Sequence, residues 1–412
     1  MYKWSFPNNG FGQIMGVANA GFEHFRGEGL KSLAREICQN SLDARRDVNK
    51  PVKVEFVFDS LPSKSIEGFS EYKKVLEQCL SYWSRENNQK AIKFLNEAKI
   101  ESNRDRINFL RISDYNTTGL LWAYSDKADG WNALTKIDGG ATKSGDEAGS
   151  FGIGKNAPFC NSYFRVVYYR TLNIDGEKAA QGVARIMSFP TDETDNMGSM
   201  TTGIGFYGNP EKNKPVENIE FLDKMYTRTE VGTDVFVCGF FWKTDWKSEI
   251  CKEIIQNFAV SIYEGLLEVT VGDEKITRNT LERYVNRFNT KDNVSVYSVL
   301  IKKDEVKEYY KNLLGGRFRL RLFIKEQNDK SLNHKILVVR RVGMKLFYLP
   351  SFSKSIAHTG ILDIQGEELS KFFREMENSN HDAWDHKKHP DPDRAKNAFD
   401  ELKRWIEDIF DE

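Results

Sequence analysis

The stretch Leu30-Lys-Ser-Leu-Ala-Arg-Glu36-Ile-Cys-Gln-Asn40-Ser-Leu-Asp43-Ala-Arg-Arg46 decides how the whole 412-residue chain is interpreted. Apolar residues recur in it at helical spacing, which predicts an amphipathic helix over residues 30–47 with one buried face. Glu36 and Asn40 are four residues apart, so they lie on one face of that helix. A helix that buries one side and presents a carboxylate and a carboxamide together on another is typical of a functional site.

The composition is that of an ordinary globular protein, with 40% apolar and 29% charged residues. Lys+Arg and Asp+Glu balance at 60 each, so the bulk charge predicts neither a nucleic-acid nor a membrane partner, although a local basic patch is compatible with it. There is no apolar run of membrane-span length and no signal-peptide pattern. Five scattered cysteines without paired spacing predict buried, reduced thiols in a cytoplasmic protein.

The alternation of strand-like and helix-like segments predicts an α+β fold. Helices are expected over residues 70–100 (one or two), over 250–270 and from Arg394 to the end of the chain. Residues 1–29 are interpreted as an irregular arm, and the glycine-rich residues 115–150 as a long loop. Strands are expected at residues 52–58, 107–113, 164–171, 181–189, 201–207, 233–240, 267–271, 294–299, 318–324 and 335–339. This order predicts a mostly antiparallel sheet with helices on one face, an α/β sandwich.

Three further segments carry polar or glycine-rich patterns. Asp114 follows the strand at 107–113 and precedes Tyr-Asn-Thr-Thr-Gly119. The loop of 115–150 leads into Gly149-Ser-Phe-Gly-Ile-Gly-Lys155, and Gly232-Thr233 opens a later strand. Glycines let backbone N–H groups approach phosphate oxygens closely. No Gly-Lys-Ser/Thr is present and the glycine run follows a long loop, so neither a Walker A loop nor a dinucleotide fingerprint fits.

These four segments, in this order, resemble the motifs of the GHKL ATPase superfamily over roughly residues 20–240. That Bergerat-fold group holds type II topoisomerase ATPase domains, MutL, the ninety-kilodalton heat-shock chaperones, MORC proteins and histidine kinases. The resemblance implies an ATP-binding domain over residues 1–245 that contains an ATP lid at about 115–150. It further implies a transducer-like α/β domain over 246–372, then a polar linker and a C-terminal helix over 373–412.

The resemblance also assigns roles in the first motif, Glu-x-x-x-Asn-Ser-x-Asp-Ala. Asn40 would be a ligand of Mg²⁺, which prefers hard oxygen donors and keeps few protein ligands. Glu36, one turn earlier, would orient and deprotonate the water that attacks the γ-phosphate. Asp43 would line the nucleotide pocket.

The remaining motifs imply contacts to the rest of ATP. Asp114 would accept a hydrogen bond from the adenine amino group, supported by Thr233, and Asn116 stands where the family has its first glycine. The further ATP-binding residues implied by the resemblance are Thr118, Gly119, Thr142, Lys143, Gly149, Ser150, Phe151, Gly152, Ile153, Gly154 and Lys155.

The second half of the chain offers a catalytic cation and a histidine-rich segment. Arg340, Arg341 or Lys345 could reach the γ-phosphate as the basic residue of a transducer domain, or could belong to a solvated turn. His381, His386 and His389 match no zinc signature and predict a polar linker or docking surface rather than a metal site. Trp384 and the final helix, with its heptad-like stripe, are expected to pack on the transducer-like domain or on a partner.

Together these features predict an Mg²⁺-dependent ATPase that works as a conformational switch. ATP would drive a homodimer clamp that acts on DNA or on a partner protein, with no membrane involved, and the resemblance extends to bacterial anti-phage defence ATPases. Two alternatives share the pocket. One is a chaperone-like or regulatory module in which nucleotide gates protein binding. The other is a histidine kinase, although no phosphoacceptor helix precedes the first motif and His24 lies in the arm.

Overall fold

The computed structural model describes residues 2–18, 22, 28–137, 154–190, 200–241, 245–325, 330–353, 355–378 and 383–411. These residues form two compact units. The first unit contains the described residues up to Glu249 together with the segment Thr270–Glu274. The second contains Ile250–Val269 and the described residues from Lys275 onward.

The first unit is built on a large sheet. Its strands are β1 (Lys3–Ser5), β2 (Val52–Pro62), β3 (Arg106–Tyr115), β4 (Ser162–Leu172), β5 (Lys178–Arg185), β6 (Ile204–Gly208) and β7 (Gly232–Phe240). A hairpin of β8 (Leu267–Val271) and β9 (Glu274–Ile276) continues the sheet, and Thr270–Glu274 is the part of this hairpin that belongs to the first unit. The strand order is β1-β6-β5-β4-β7-β3-β2-β8-β9. From β1 to β2 every neighbouring pair is antiparallel, as predicted.

Six helices accompany these strands in the described part of the first unit. They are α1 (Gly29–Asp43), α2 (Phe69–Arg85), α3 (Gln89–Ser102), α4 (Gly130–Thr135), α5 (Ala157–Cys160) and α6 (Glu220–Met225). The predicted helix at 30–47 and the predicted pair within 70–100 are therefore present, apart from small differences at their ends.

The two faces of this sheet have different neighbours. Face A carries Phe109, Cys238 and Val166, which are aligned across β3, β7 and β4. Helices α2 and α3 pack on face A and share one apolar core with these side chains. Face B carries Asp114, whose side chain meets Ser41 of α1. Successive residues of a strand point to opposite faces, so α1 lies on the side opposite α2 and α3.

The predicted α+β class is therefore confirmed, and its helices lie on both faces of the sheet rather than on one. The physical reason is visible in the strands. Side chains of β4 and β7 are buried on both sides, with almost no exposed position in either strand. Two apolar faces each require a covering layer.

The second unit has its own five-stranded sheet in the order β10-β11-β14-β12-β13. The strands are β10 (Val306–Leu313), β11 (Gly316–Lys325), β12 (Ile336–Val339), β13 (Lys345–Leu349) and β14 (Ala357–Gln365). Strand β12 pairs parallel with β14, and the other pairs are antiparallel. The accompanying helices are α7 (Trp246–Tyr263), α8 (Leu281–Arg287), α9 (Lys291–Ile301), α10 (Glu367–Arg374) and α11 (Pro392–Asp411).

Each face of the second sheet is covered by helices. Helices α10 and α11 pack with Phe318, Leu320 and Leu362 on one face. On the other face, Val260 of α7 and the apolar side of α9 pack with Phe323 and Ile361. The predicted C-terminal helix is thus part of this unit's core.

The strand predicted at 294–299 is wrong, because these residues lie in α9. Its β-branched residues favour a strand locally. In the structure, Thr290 caps a helix by accepting a hydrogen bond from Asn293 N at 3.1 Å, and Val296, Val299 and Leu300 form its buried stripe. Burial of that stripe outweighs the local propensity.

Two segments predicted to be irregular contain regular structure. Lys3–Ser5 in the arm forms β1 and pairs with β6, and Gly130–Thr135 in the predicted loop forms α4. Within the described parts of the chain, no helix combines the length and the apolar character needed to cross a membrane.

Candidate functional site

Helix α1 presents its polar residues on face B of the first sheet. The rotation of the helix about its axis is fixed by its own buried residues, which are Leu30, Leu33, Ala34, Cys38 and Leu42. Glu36 is then half-buried and Asn40 is exposed, one turn apart. With its apolar residues buried, the helix therefore presents the Glu36 carboxylate and the Asn40 carboxamide one turn apart on the same side.

The glycine-rich turn meets α1 at Glu36. A Cβ atom built on Gly154 would lie 1.8 Å from Glu36 Oε2 and 2.4 Å from its carboxyl carbon. Such distances are far inside van der Waals contact, so no side chain fits at position 154 while the carboxylate keeps its place. The first and third motifs are thus in direct contact, and Lys155 follows in the same short turn, Gly154–Asn156.

Asp114, half-buried at the end of β3, accepts hydrogen bonds from three different segments of the chain. Its Oδ1 accepts hydrogen bonds from the backbone N–H of Thr233 at 2.7 Å and from Thr117 Oγ1 at 2.8 Å. Its Oδ2 accepts one from Ser41 Oγ at 3.2 Å. The carboxylate therefore joins α1, the segment after β3, and β7.

The electrostatic surroundings of Asp114 act in two directions. Burial raises the pKa of this carboxyl group above its ordinary value. The charge of Arg228 and the hydrogen bonds from Thr233, Thr117 and Ser41 lower the pKa, but they do not cancel the effect of burial. Proton uptake by Asp114 is therefore expected at a higher pH than for an exposed aspartate.

Gly232 allows β7 to approach Asp114. Its φ is +151°, and a Cβ atom at this position would lie 2.3 Å from the Asp114 carbonyl oxygen and 2.8 Å from Oδ1. Any other residue would push the two strand ends apart. The following N–H, of Thr233, is thereby placed on the carboxylate, while half-buried Thr233 keeps its side chain beside the site.

Asn116 takes a backbone conformation that glycine adopts readily. Its φ is +59°, a left-handed value that asparagine tolerates better than most residues. Its carboxamide accepts from Asp47 N at 3.0 Å and donates to carbonyl oxygens of the loop after α1, including Lys50 O at 3.0 Å. These hydrogen bonds tie Asn116 to the loop that follows α1.

The rest of the second motif is tied to the end of α1. Thr118 N donates to Ala44 O at 3.0 Å, and Gly119 has a φ of +66°. Asp43, at the last position of α1, is half-buried close to this junction. The second motif, with Thr118 and Gly119, is thus held beside the end of α1, where Asp43 lies.

Several predicted site residues lie outside the residues that the structure describes. These are Thr142, Lys143, Gly149, Ser150, Phe151, Gly152 and Ile153, together with His24 and His381.

The candidate catalytic cations belong to the second unit. Arg340 follows β12 and forms an ion pair with Glu377 of the same unit. Lys345 opens β13 and lies with its Nζ 4.9 Å from the centre of the Tyr348 ring, and Arg341 is exposed in the turn between them. Their role toward the site on α1 stays a prediction.

The histidine-rich segment is structural where it is described. His389 Nε2 lies 3.1 Å from Glu375 Oε2, and Trp384 packs against Phe347 and Phe373. His386 lies in a single short turn, His386–Lys388. Among the residues that the structure describes, no group of three or more His, Cys, Asp or Glu side chains could hold a metal ion.

Sequence reasoning missed four residues that contact Asp114 or its neighbours: Ser41, Thr117, Arg228 and Asp234. Ser41 and Thr117 stand inside the recognised motifs, so their positions could have suggested a role. Arg228 and Asp234 carry no recognisable pattern, because most of their partners are backbone carbonyl groups or side chains that are distant in sequence.

Comparisons with known proteins give little beyond this geometry. No family model matches the chain, and no curated protein matches it. Among solved structures, the MutL ATPase domain of Aquifex aeolicus is similar at 12% identity, with 81% of this chain and 89% of that chain covered and a TM-score of 0.29.

Proposed function

We propose that the first unit binds ATP with Mg²⁺ on face B and hydrolyses its β–γ phosphoanhydride bond, which releases ADP and inorganic phosphate. The observation that supports this is the convergence of four motifs that are far apart in sequence. Gly154 lies against Glu36, Ser41 donates to Asp114, and Asp114 accepts from Thr233. If α1 were only a core helix with solvated polar residues, its contacts with a glycine turn and with a second carboxylate would not be expected.

Asp114 is proposed to bind the adenine. A half-buried carboxylate with its lone pairs fixed by three donors is well placed to accept another hydrogen bond, from an exocyclic amino group. The glycine turn that ends at Gly154 and Lys155 would receive the phosphates through backbone N–H groups and one positive charge. Thr142, Lys143 and residues 149–153 would complete that cradle.

Asn40 fits the metal of such a site. Its carboxamide is exposed beside Glu36, and amide oxygen is a hard donor that suits Mg²⁺. When bound, Mg²⁺ would neutralise charge on the phosphates. Glu36 would hold a water and take its proton, which requires the carboxylate to be close to the phosphate turn, as the contact with Gly154 supports.

We further propose that the nucleotide works a conformational switch, an ATP-driven dimer clamp on DNA or a partner protein. Arg340, Arg341 or Lys345 would contribute a cation to the phosphates in the closed state. The proposal also includes a role for this switch among the ATPases of bacterial anti-phage defence.

The test separates binding from chemistry with Glu36→Ala. We expect this variant to bind ATP with an affinity close to wild type and to lose hydrolysis, because the base acts only in the chemical step. ATP binding is measured by calorimetry and hydrolysis by phosphate release.

The matched control is Glu28→Ala, which removes an exposed carboxylate that pairs with Lys31 just before α1. It should keep both binding and turnover. Unchanged turnover in Glu36→Ala, or no ATP binding by the wild-type protein, would contradict the proposal.

A further inference from the structure

We infer that Arg228 is a positioning residue for the proposed adenine site, because it holds the backbone on both sides of the hydrogen bond between Asp114 and Thr233. The inference rests on the proposed function. Arg228 touches neither nucleotide nor water in this scheme and acts through Asp114.

The guanidinium of Arg228 is buried, with 6% of the residue exposed, and it reaches both strand ends. One of its terminal nitrogens donates to Asp114 O at 3.0 Å and to Thr233 O at 3.0 Å. The other terminal nitrogen donates to Glu230 O at 3.0 Å. The guanidinium of Arg228 thus fixes two carbonyl groups. One is that of Asp114, and the other is that of Thr233, whose N–H binds the Asp114 carboxylate.

Asp234 holds Arg228 in this place. The side chain of Asp234 is fully buried on face A. Its Oδ2 accepts a hydrogen bond from Arg228 Nε at 2.9 Å. Its Oδ1 accepts one at 2.6 Å from Arg228 Nη2, the nitrogen that also binds Asp114 O and Thr233 O. Arg170 Nε and Ser113 Oγ complete its hydrogen bonds, at 2.9 and 2.6 Å. A buried carboxylate tolerates low solvation only when it is paired in this way.

The charge state of Asp234 agrees with this arrangement. Burial alone would raise the pKa of Asp234, but Arg228, Arg170 and Ser113 together hold the pKa below its ordinary value. Asp234 therefore stays ionised and remains a fixed anchor for both arginines. Because Thr233 and Asp234 are adjacent in β7, this anchor lies on the reverse side of the strand from the proposed adenine site.

Gly232 shows how little free space the arrangement leaves. A Cβ atom there would lie 2.3 Å from Asp114 O and also 2.6 Å from a terminal nitrogen of Arg228. The carbonyl of Asp114, the guanidinium and the start of β7 are therefore packed against one another. A displacement of Arg228 would move the N–H that orients the carboxylate.

Arginine suits this task and lysine does not. The planar fork supplies five donors in fixed directions, and Arg228 uses them on four residues. A lysine would keep the positive charge beside Asp234 but could not span these acceptors.

Arg170 provides a matched control within the same cluster. It is also buried and also binds Asp234, but its other ion pair is with Asp223, Nη1 to Oδ1 at 2.7 Å, and its guanidinium lies against the rings of Tyr226 and Phe236. Arg170→Met therefore removes one cation from Asp234 without touching the adenine side. Arg228→Met removes the other cation together with the link to Asp114 and Thr233.

The experiment measures ATP affinity by calorimetry and KM and kcat by phosphate release in wild type, Arg228→Met, Arg228→Lys and Arg170→Met. Thermal unfolding of each variant is measured in parallel. We expect Arg228→Met and Arg228→Lys to weaken ATP binding about tenfold or more and to raise KM while kcat changes little. Arg170→Met should weaken ATP binding less than about threefold at a similar loss of thermal stability.

Equal weakening by Arg170→Met and Arg228→Met would overturn the inference, because it would show that only the pairing of Asp234 matters. Wild-type affinity in Arg228→Lys would also overturn it. If Arg228→Met does not fold, Arg228→Lys still tests the inference, because it keeps the positive charge that Asp234 needs. Absence of ATP binding by the wild-type protein would overturn the proposed function and this inference together, whereas ATP binding that is insensitive to Arg228 would overturn the inference alone.

Discussion

At the scale of single residues, the carboxylate of Asp114 is the group whose state should control nucleotide binding. Only its ionised form offers every lone pair to donors, and three protein donors already point at it. Burial raises its pKa, so protonation starts at a less acidic pH than for an ordinary aspartate. The positive charge of Arg228 opposes that shift without cancelling it.

The first prediction is a loss of ATP affinity on acidification. As the pH falls through the raised pKa of Asp114, the carboxyl group gains a proton, and it then competes with the adenine amino group as a donor. Affinity is measured by calorimetry from about pH 8 to about pH 5.

Asp114→Asn is the control, because ATP itself also titrates in this range. The variant should bind weakly at every pH, so the ratio of wild-type to variant affinity should fall toward acid. A ratio that stays constant over the range would show that Asp114 does not titrate or does not bind the base.

The sequence patterns indicated candidate residues around Asp114, but they did not indicate the buried side chain that holds the backbone on either side of it. Glu36, Asn40 and Asp114 were singled out as candidates because helical spacing and a strand end are local features of sequence, and their roles toward a nucleotide stay predictions. Arg228 could not be found, since its acceptors are three carbonyl oxygens and a carboxylate that only the folded chain brings together. Backbone acceptors leave no mark on the sequence.

At the scale of elements, Gly154 of the glycine turn leaves no room for a side chain while the Glu36 carboxylate of α1 keeps its place. Gly154→Ala would place a methyl group 1.8 Å from Glu36 Oε2, so either the turn or the carboxylate must shift. We expect ATP hydrolysis to fall by about tenfold or more, because a displacement of even 1 Å at a catalytic base is costly.

The comparison for that substitution is Gly16→Ala, where an added Cβ has no neighbour within 4 Å. This variant should keep wild-type turnover. Full turnover by Gly154→Ala in the phosphate-release assay would show that the proposed water-activating role of Glu36 does not depend on this contact.

Elements also show why local pattern predicts a fold incompletely. The helix at 30–47 was predicted because its apolar period has a single interpretation. Residues 294–299 have β-branched side chains, and their helix is stabilised by a cap at Thr290 and by packing on β11 and β14. The second covered face of the first sheet was missed for a similar reason, since nearly continuous burial along β4 and β7 becomes visible only after neighbouring strands are placed.

At the scale of the whole molecule, the proposed switch requires that ATP change the association of two chains. A clamp that closes on nucleotide must bind the ATP-bound state of its partner more tightly than the free state, or nucleotide could not shift the equilibrium. The mass of the chain, 47.5 kDa, makes this easy to follow by light scattering.

We expect a doubling of that mass with a non-hydrolysable ATP analogue, and no doubling with ADP or without nucleotide. Glu36→Ala with ATP should give the same doubled mass, because it binds ATP without consuming it, whereas wild type with ATP should return to its starting mass as ATP is hydrolysed. Asp114→Asn should stay at 47.5 kDa under every condition, which ties association to occupation of the pocket. A single chain in all conditions, with ATP binding intact, would remove the dimer clamp and leave a nucleotide-gated module that acts on its partner as a monomer.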